Sequence, residues 1–297
     1  MTLRSVRHGL ETVLAWTFFW ILKRLSIDHA SAFGGWVGRR IGRLLPVTNV
    51  ARRNLDRVFP DMPVPERERI VTAMWDNLGR TAGEFPHLGD LHLGEHIELE
   101  GRKYIEPFQK SGKPCLFVTA HFGNWELTAL VGILLGFKPL TVIYRSASNT
   151  GVEGMYRAAR EAMGVSLIPK GAEGARLAVK VLKSGGHLGM LVDQKMNEGI
   201  SVPFLGIPAM TAPALAVFAL RFNLPLIPVH AVRTEGARFK VVFQPPLELP
   251  QEGDRDERIY EIMTRVNAVY GDWIREKPEQ WFWLHNRWPD DPRTKRH

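Results

Sequence analysis

From about residue 113 the chain alternates two textures. The short apolar runs CLFVTA, PLTVIYR, VSLIPK, HLGMLVDQ, LPLIPVHAV and FKVVFQPPLEL read as strands bounded by turn residues. Between them GVEGMYRAAREAMG, GARLAVKVLKSGG and TAPALAVFALRFN read as helices, with Gly185 and Gly186 as a helix stop. A last helix is expected at roughly 254–277. Alternation of this kind predicts an α/β fold, a mixed central sheet flanked by helices. Residues 30–112 read instead as helical and basic, broken by prolines at 60–65 and resumed with Ile70, Met74 and Leu78 at helical spacing.

The N-terminus carries a third texture. An apolar run from Val13 to Leu22 is preceded by Arg4 and Arg7 and followed by Lys23 and Arg24. It lacks the small-residue cleavage site of a signal peptide, and covers about half of the ~20 residues that a spanning helix needs. Trp16 and Trp20 fall on one helical face, as interfacial rings do. The expectation is a retained, shallow membrane-anchor helix over 1–29, with one domain over 30–297 divided into the basic helical part 30–112 and an α/β core 113–297. An ordinary core helix and a tilted span from Leu10 to Leu25 are the alternatives.

Charge and composition narrow the partners. The chain has 297 residues, 45% of them hydrophobic, which excludes disorder throughout. Lys and Arg outnumber Asp and Glu by 39 to 31. A net charge of +8 suits phosphates, anionic lipid or an acidic protein. The set Arg39, Arg40, Arg43, Arg52, Arg53 and Arg57 is an ordinary solvated face or, beside an apolar helix, a holder of anionic lipid. The single cysteine, Cys115, excludes an internal disulfide and reads as a buried bystander. The ten histidines show no HExxH or comparable spacing, so no metal is expected. Phosphate-loop and dinucleotide glycine patterns are missing, and no nucleic-acid module accompanies the charge; no nucleic-acid partner is expected.

Polar residues interrupt the core-like texture at TAHFGNWE. His121 stands at the carboxyl end of a buried strand, where open α/β sheets place their ligand sites. Asn124 is placed to cap the following helix and Glu126 opens its first turn. With Phe122–Gly123 as a turn, Glu126 can fold back on His121 as a carboxylate that orients a general base. A satisfied loop histidine beside a first-turn acid is the plainer alternative. G-x-S-x-G is absent, so the hydroxyl to be activated belongs to the substrate, which implies direct transfer without a covalent enzyme intermediate. Arg145 ends its strand near the same crevice and suits a phosphate, a solvated strand-end arginine being the alternative. Arg176 lies in a helix's first turn, where an anionic ligand would explain a cation and a solvated side chain explains it equally well. Asp193 and Gln194 follow another strand; a loop-anchoring role is favoured for Asp193. Thr211 reads as a helix cap, and EQWFWLHNRWP as a seal on the core.

TAHFGNWE also resembles the His-x4-Asp/Glu motif of the bacterial lipid A late acyltransferases. ARRNLDRVFP, VIYR, LGMLVDQK, VPFLGIPAMTAPALAVFALRFNLPLIPV and PEQWFWLHNRWP resemble further blocks of that family in the right order, over roughly residues 10–290. Lys195 departs from the family's usual acid–Gln–acid block. The resemblance implies an enzyme on the cytoplasmic face of the inner membrane that moves a fatty acyl chain from acyl carrier protein to a hydroxyl of a lipid A precursor or related glycolipid. It implies His121 as base, Glu126 as its partner and Asn124 as a group that positions the loop or an oxyanion; the candidate substrate contacts are then Asn124, Arg145, Arg176, Asp193 and Gln194, and no cofactor is expected beyond the acyl-carrier donor. An acyl thioesterase, a lysophospholipid acyltransferase and a non-enzymatic anionic-lipid-binding protein remain as alternatives.

Overall fold

A computed structural model describes residues 3–147 and 149–288. The first hundred residues supply α1 (Leu3–Arg24), α2 (Ile27–Ile41), α3 (Thr48–Val58), α4 (Val64–Glu84) and β1 (Ile97–Glu100). Then come α5 (Glu106–Ser111), β2 (Leu116–Thr119), α6 (Glu126–Leu134), β3 (Leu140–Tyr144), α7 (Thr150–Ala162), β4 (Val165–Pro169), α8 (Ala172–Lys183) and β5 (His187–Leu191). The chain continues with β6 (Ile200–Phe204), β7 (Ile207–Thr211), α9 (Ala214–Phe222), β8 (Leu226–Glu235), β9 (Arg238–Phe243) and α10 (Arg255–Glu276).

Seven strands form one sheet in the order β1-β9-β8-β2-β5-β3-β4. Every pairing is parallel except β8 with β9, so the expected mixed sheet is present and β1 and β9 run against the rest. Helices cover both faces, which is why the strand sequences are nearly continuous hydrophobic runs. Along β2, Leu116 and Val118 enter one core cluster with α9 and α10, while Cys115 and Phe117 enter the other with α6. Burial pushes the Cys115 thiol up to about 12, leaving an inert core residue, as its apolar neighbours imply.

Two features escape the periodicity argument. IELE, inside the stretch read as helical, adds β1 beside β9. Residues 200–211 form an antiparallel hairpin whose turn places both Leu205 and Gly206 at positive φ, the backbone a two-residue hairpin needs. Thr211 therefore ends β7, and α9 starts after Pro213 without a side-chain cap. The last helix begins as expected, with Asp254 and Glu257 forming a capping box.

α2 lies against α4 along a stripe of small residues. A Cβ on Gly34 would stand 2.1 Å from the Gly79 carbonyl, and one on Gly38 2.0 Å from that of Trp75. α1 lies over α7, where Thr12 Oγ1 meets Asn149 Oδ1 at 2.9 Å and Asn149 Nδ2 donates to the His8 carbonyl. Among the described residues no helix is long and apolar enough to cross a membrane.

Candidate active site

The parallel register of β2 on β5 sets the geometry. Thr119 pairs with Leu191, so two residues further along each strand His121 and Asp193 emerge side by side at the sheet's carboxyl edge. Asp193 Oδ1 lies 2.9 Å from His121 Nδ1, and Asp193 Oδ2 accepts the His121 backbone N–H at 3.0 Å. Trp281 donates its indole N–H to the same Oδ2 at 2.9 Å. Full burial alone would push the Asp193 carboxyl up, but the His121 ring and the hydrogen bonds from His121 and Trp281 outweigh it and hold the group below the usual carboxylate range. An ionised Asp193 makes Nδ1 the donor nitrogen and leaves Nε2 to take a proton.

The loop beneath the imidazole is pinned from three sides. Gly123 sits at φ +57°, and a Cβ there would lie 1.7 Å from the Ala231 carbonyl of β8, so only glycine fits. Its N–H donates to the Gln280 carbonyl, and its own carbonyl accepts from Asn77 and Thr81 of α4. Phe282 N–H donates to the His121 carbonyl at 3.0 Å. Trp281, Trp283 and Trp288 are buried, in keeping with EQWFWLHNRWP as a core seal, while the Phe282 ring stands 6.1 Å from His121.

Glu126 is placed differently from expectation. Its carboxylate forms a two-point pair with Arg160 of α7, at 2.6 and 2.9 Å, and accepts the Trp125 indole N–H at 3.0 Å. It makes no hydrogen bond to His121; Asp193 occupies that position. The cause is local: α6 starts at Glu126, and its first turn directs the carboxylate towards α7 rather than back over the turn. Glu126 and His121 nevertheless line the same cavity.

Asn124 is fully buried and is not a side-chain cap; the cap position belongs to Trp125. Its amide donates to Glu84 Oε2 at 2.8 Å. Glu84 in turn holds Arg233 of β8, whose Nη2 lies 2.9 Å from Oε2, and accepts from Ser31. This buried network ties α2, α4, β8 and the His121 loop together, while Asn124 Oδ1 is buried without a hydrogen-bond partner among the described residues. A buried carboxylate and guanidinium are tolerable only with every partner in place.

The cavity has a volume of about 400 Å³, within the ~300–1,000 Å³ range of small-molecule sites. His121, Glu126, Tyr144, Arg145 and Arg160 give it a polar end. Ala15, Phe18, Phe19 and Leu22 of α1 close it opposite Phe85, Trp125, Met155 and Tyr156. Arg145 is thus where strand order places it, exposed at the end of β3. Arg176 is exposed on α8 and is not among the lining residues, because α8 follows the edge strand β4. Gln194 is half-buried without a side-chain hydrogen bond among the described residues, and lies outside the lining. Its neighbour Lys195 donates its backbone N–H to His285 Nε2 at 2.8 Å, and burial lowers that histidine to about 4, keeping it neutral. Among the described residues no cluster of His, Cys, Asp or Glu could hold a metal.

Asp193, Trp281 and Arg160 are the site residues whose roles sequence reasoning missed. The signal for Asp193 was its place after a strand; which strand lies beside β2 is a tertiary fact.

A carboxylate-oriented imidazole at the strand ends thus faces a cavity with an apolar wall. The model of the family described as "Bacterial lipid A biosynthesis acyltransferase" matches residues 2–290, and the chain belongs to that family. It is an acyltransferase. A lipid A biosynthesis acyltransferase of Haemophilus influenzae is 24% identical over 99% of this chain and 86% of the relative. The Escherichia coli lipid A biosynthesis lauroyltransferase is 23% identical over 92% of this chain and 89% of the relative. Among solved structures, the 1-acyl-sn-glycerophosphate acyltransferase PlsC of Thermotoga maritima aligns with 89% of this chain and 97% of its own at 13% identity. Its TM-score of 0.39 is too low to carry weight.

Proposed function

We propose that the protein transfers a fatty acyl chain from acyl carrier protein to a hydroxyl of a lipid A precursor or closely related glycolipid, on the cytoplasmic face of the inner membrane. The observation that carries this reading is the His121–Asp193 pair opening on an apolar cavity, in a chain of this family. His121 Nε2 takes the proton from the acceptor hydroxyl, and the resulting alkoxide attacks the thioester carbonyl. Asp193 stabilises the imidazolium, which then returns the proton to the departing thiol. No covalent acyl-enzyme forms.

Glu126, held by Arg160, shapes the polar end of the cavity where the two substrates meet. Arg145, exposed at the mouth, binds acceptor phosphate as a two-point donor. The cavity wall built by α1 and α7 holds the acyl chain. Membrane attachment through α1 is supported by its exposed Val13, Leu14, Trp16 and Trp20 beside Lys23 and Arg24. The basic surface suits an acidic carrier protein.

The experiment is purified protein with an acyl-carrier thioester and a lipid A precursor, followed by mass spectrometry of the lipid. An acceptor heavier by one acyl group supports the reading. Free fatty acid as the sole product, with the acceptor present, refutes it in favour of a thioesterase.

A further inference from the structure

Leu44, at 81% exposure, stands on the short turn that follows α2, with Ile41 at 53% beside it and Leu45 and Val47 also exposed. The turn is firmly built. Thr48 Oγ1 donates to the Gly42 carbonyl at 2.7 Å and accepts the Trp75 indole N–H at 3.1 Å, so its base is stapled to α4.

The outer face of α2 leads up to this tip. Its glycine stripe fits α4 so closely that the helix cannot rotate to hide its other side. Phe33 and Trp36 are therefore held in solvent, their rings 6.0 Å apart. Phe33 also lies 6.3 Å from Phe18 of α1, so the apolar surface of α1 continues onto α2. Arginines rim it: Arg40 and Arg43 are exposed, whereas Arg39 and Arg52 are paired with Asp76 and Glu68. Exposed apolar side chains on a fixed turn beside exposed guanidiniums match a bilayer with anionic headgroups: the side chains enter the acyl boundary, and the cations remain at phosphate level.

We propose that the α2 face and tip, comprising Phe33, Trp36, Ile41 and Leu44 with Arg40 and Arg43, form a second membrane-docking surface that takes anionic phospholipid headgroups independently of α1's own insertion. This deepens the reading of the protein as a membrane-attached acyltransferase. Phe18 belongs to both the apolar face and the cavity wall, so a second contact on the same side fixes the cavity mouth at the lipid surface from which a lipid acceptor would come.

The test is flotation of the full chain with vesicles of phosphatidylcholine, alone or mixed with phosphatidylglycerol. Ile41→Glu together with Leu44→Glu is expected to weaken binding to both vesicles by about tenfold or more, from the apolar burial lost. Arg40→Ser together with Arg43→Ser should lower binding only to the phosphatidylglycerol vesicles, and the remaining binding should depend less on salt. All four positions are exposed, so melting temperatures should match the parent's. Parent-like flotation of the Glu variant would overturn the proposal. So would sedimentation equilibrium in which the parent is a dimer and the Glu variant a monomer, because the tip would then be an interface between copies. No arm involves turnover, so a failed acyl-transfer reading and a failed docking surface are separately visible.

Discussion

Asp193 serves two neighbours at once, and that double duty explains its burial. One oxygen fixes the His121 tautomer while the other ties down the His121 backbone and the Trp281 indole. Replacing it with asparagine keeps the shape but removes the charge that favours the imidazolium. Transfer by Asp193→Asn should fall about 10³–10⁴-fold, by analogy with a triad aspartate, with circular dichroism unchanged. A near-parent rate would remove Asp193 from the chemistry. Glu126 and Arg160 belong together for a different reason: each is the other's main partner at the cavity wall, and the pair is mostly shielded from water. Glu126→Gln, Arg160→Gln and the double variant should be non-additive, with a coupling of ~0.5–3 kcal/mol in denaturant unfolding. Additive effects would mean that the pair is not formed in solution.

α1 is the element that converts a groove into a cavity. Its inward residues Ala15, Phe19 and Leu22 share the cavity wall with α7 and with Phe85, which follows α4, while Val13, Leu14 and Trp20 point outward. Filling that wall should shorten the acyl chain accepted. With Ala15→Phe, competition between long and short acyl-carrier donors should shift towards the shorter by roughly tenfold or more, since each methylene is worth ~1–3 kcal/mol in an apolar pocket. An unchanged product distribution would place the acyl chain elsewhere.

The strands and helices of the α/β part were legible because each is a run of one period bounded by glycine or proline. β1 was not, because four residues of IELE carry too short a signal against a helical background. The hairpin was missed although Leu-Gly between two apolar runs marks its turn. His121 was legible from its place at a strand end. Its partner was not, because chain proximity favoured Glu126, whereas the register of β2 on β5 brings in a residue 72 positions away.

Across the whole molecule, several buried polar groups make stability depend on acidity. His230 stacks on Trp273 with ring centroids 4.2 Å apart, and burial lowers it to about 3, from an unfolded value of 6.5. His285 is lowered to about 4 for the same reason. The unfolded chain binds protons to both before the folded chain does, so their stabilisation is complete above 6.5 and is lost as pH falls towards 4. Within that window each histidine should cost about 1.4 kcal/mol per pH unit, read as a falling melting temperature. His230→Phe should flatten that slope; an unaltered slope would mean that the ring is not buried neutral.

The account as a whole rests on His121 acting as the base. The direct test is the rate of acyl transfer from acyl carrier protein to a lipid A precursor by His121→Ala, with folding checked by circular dichroism. The expected result is a well-folded protein whose transfer is lower by at least about 10³-fold, with no acyl group bound covalently to either protein. A well-folded variant that transfers at the parent's rate, or a trapped acyl-enzyme in the parent, would contradict it.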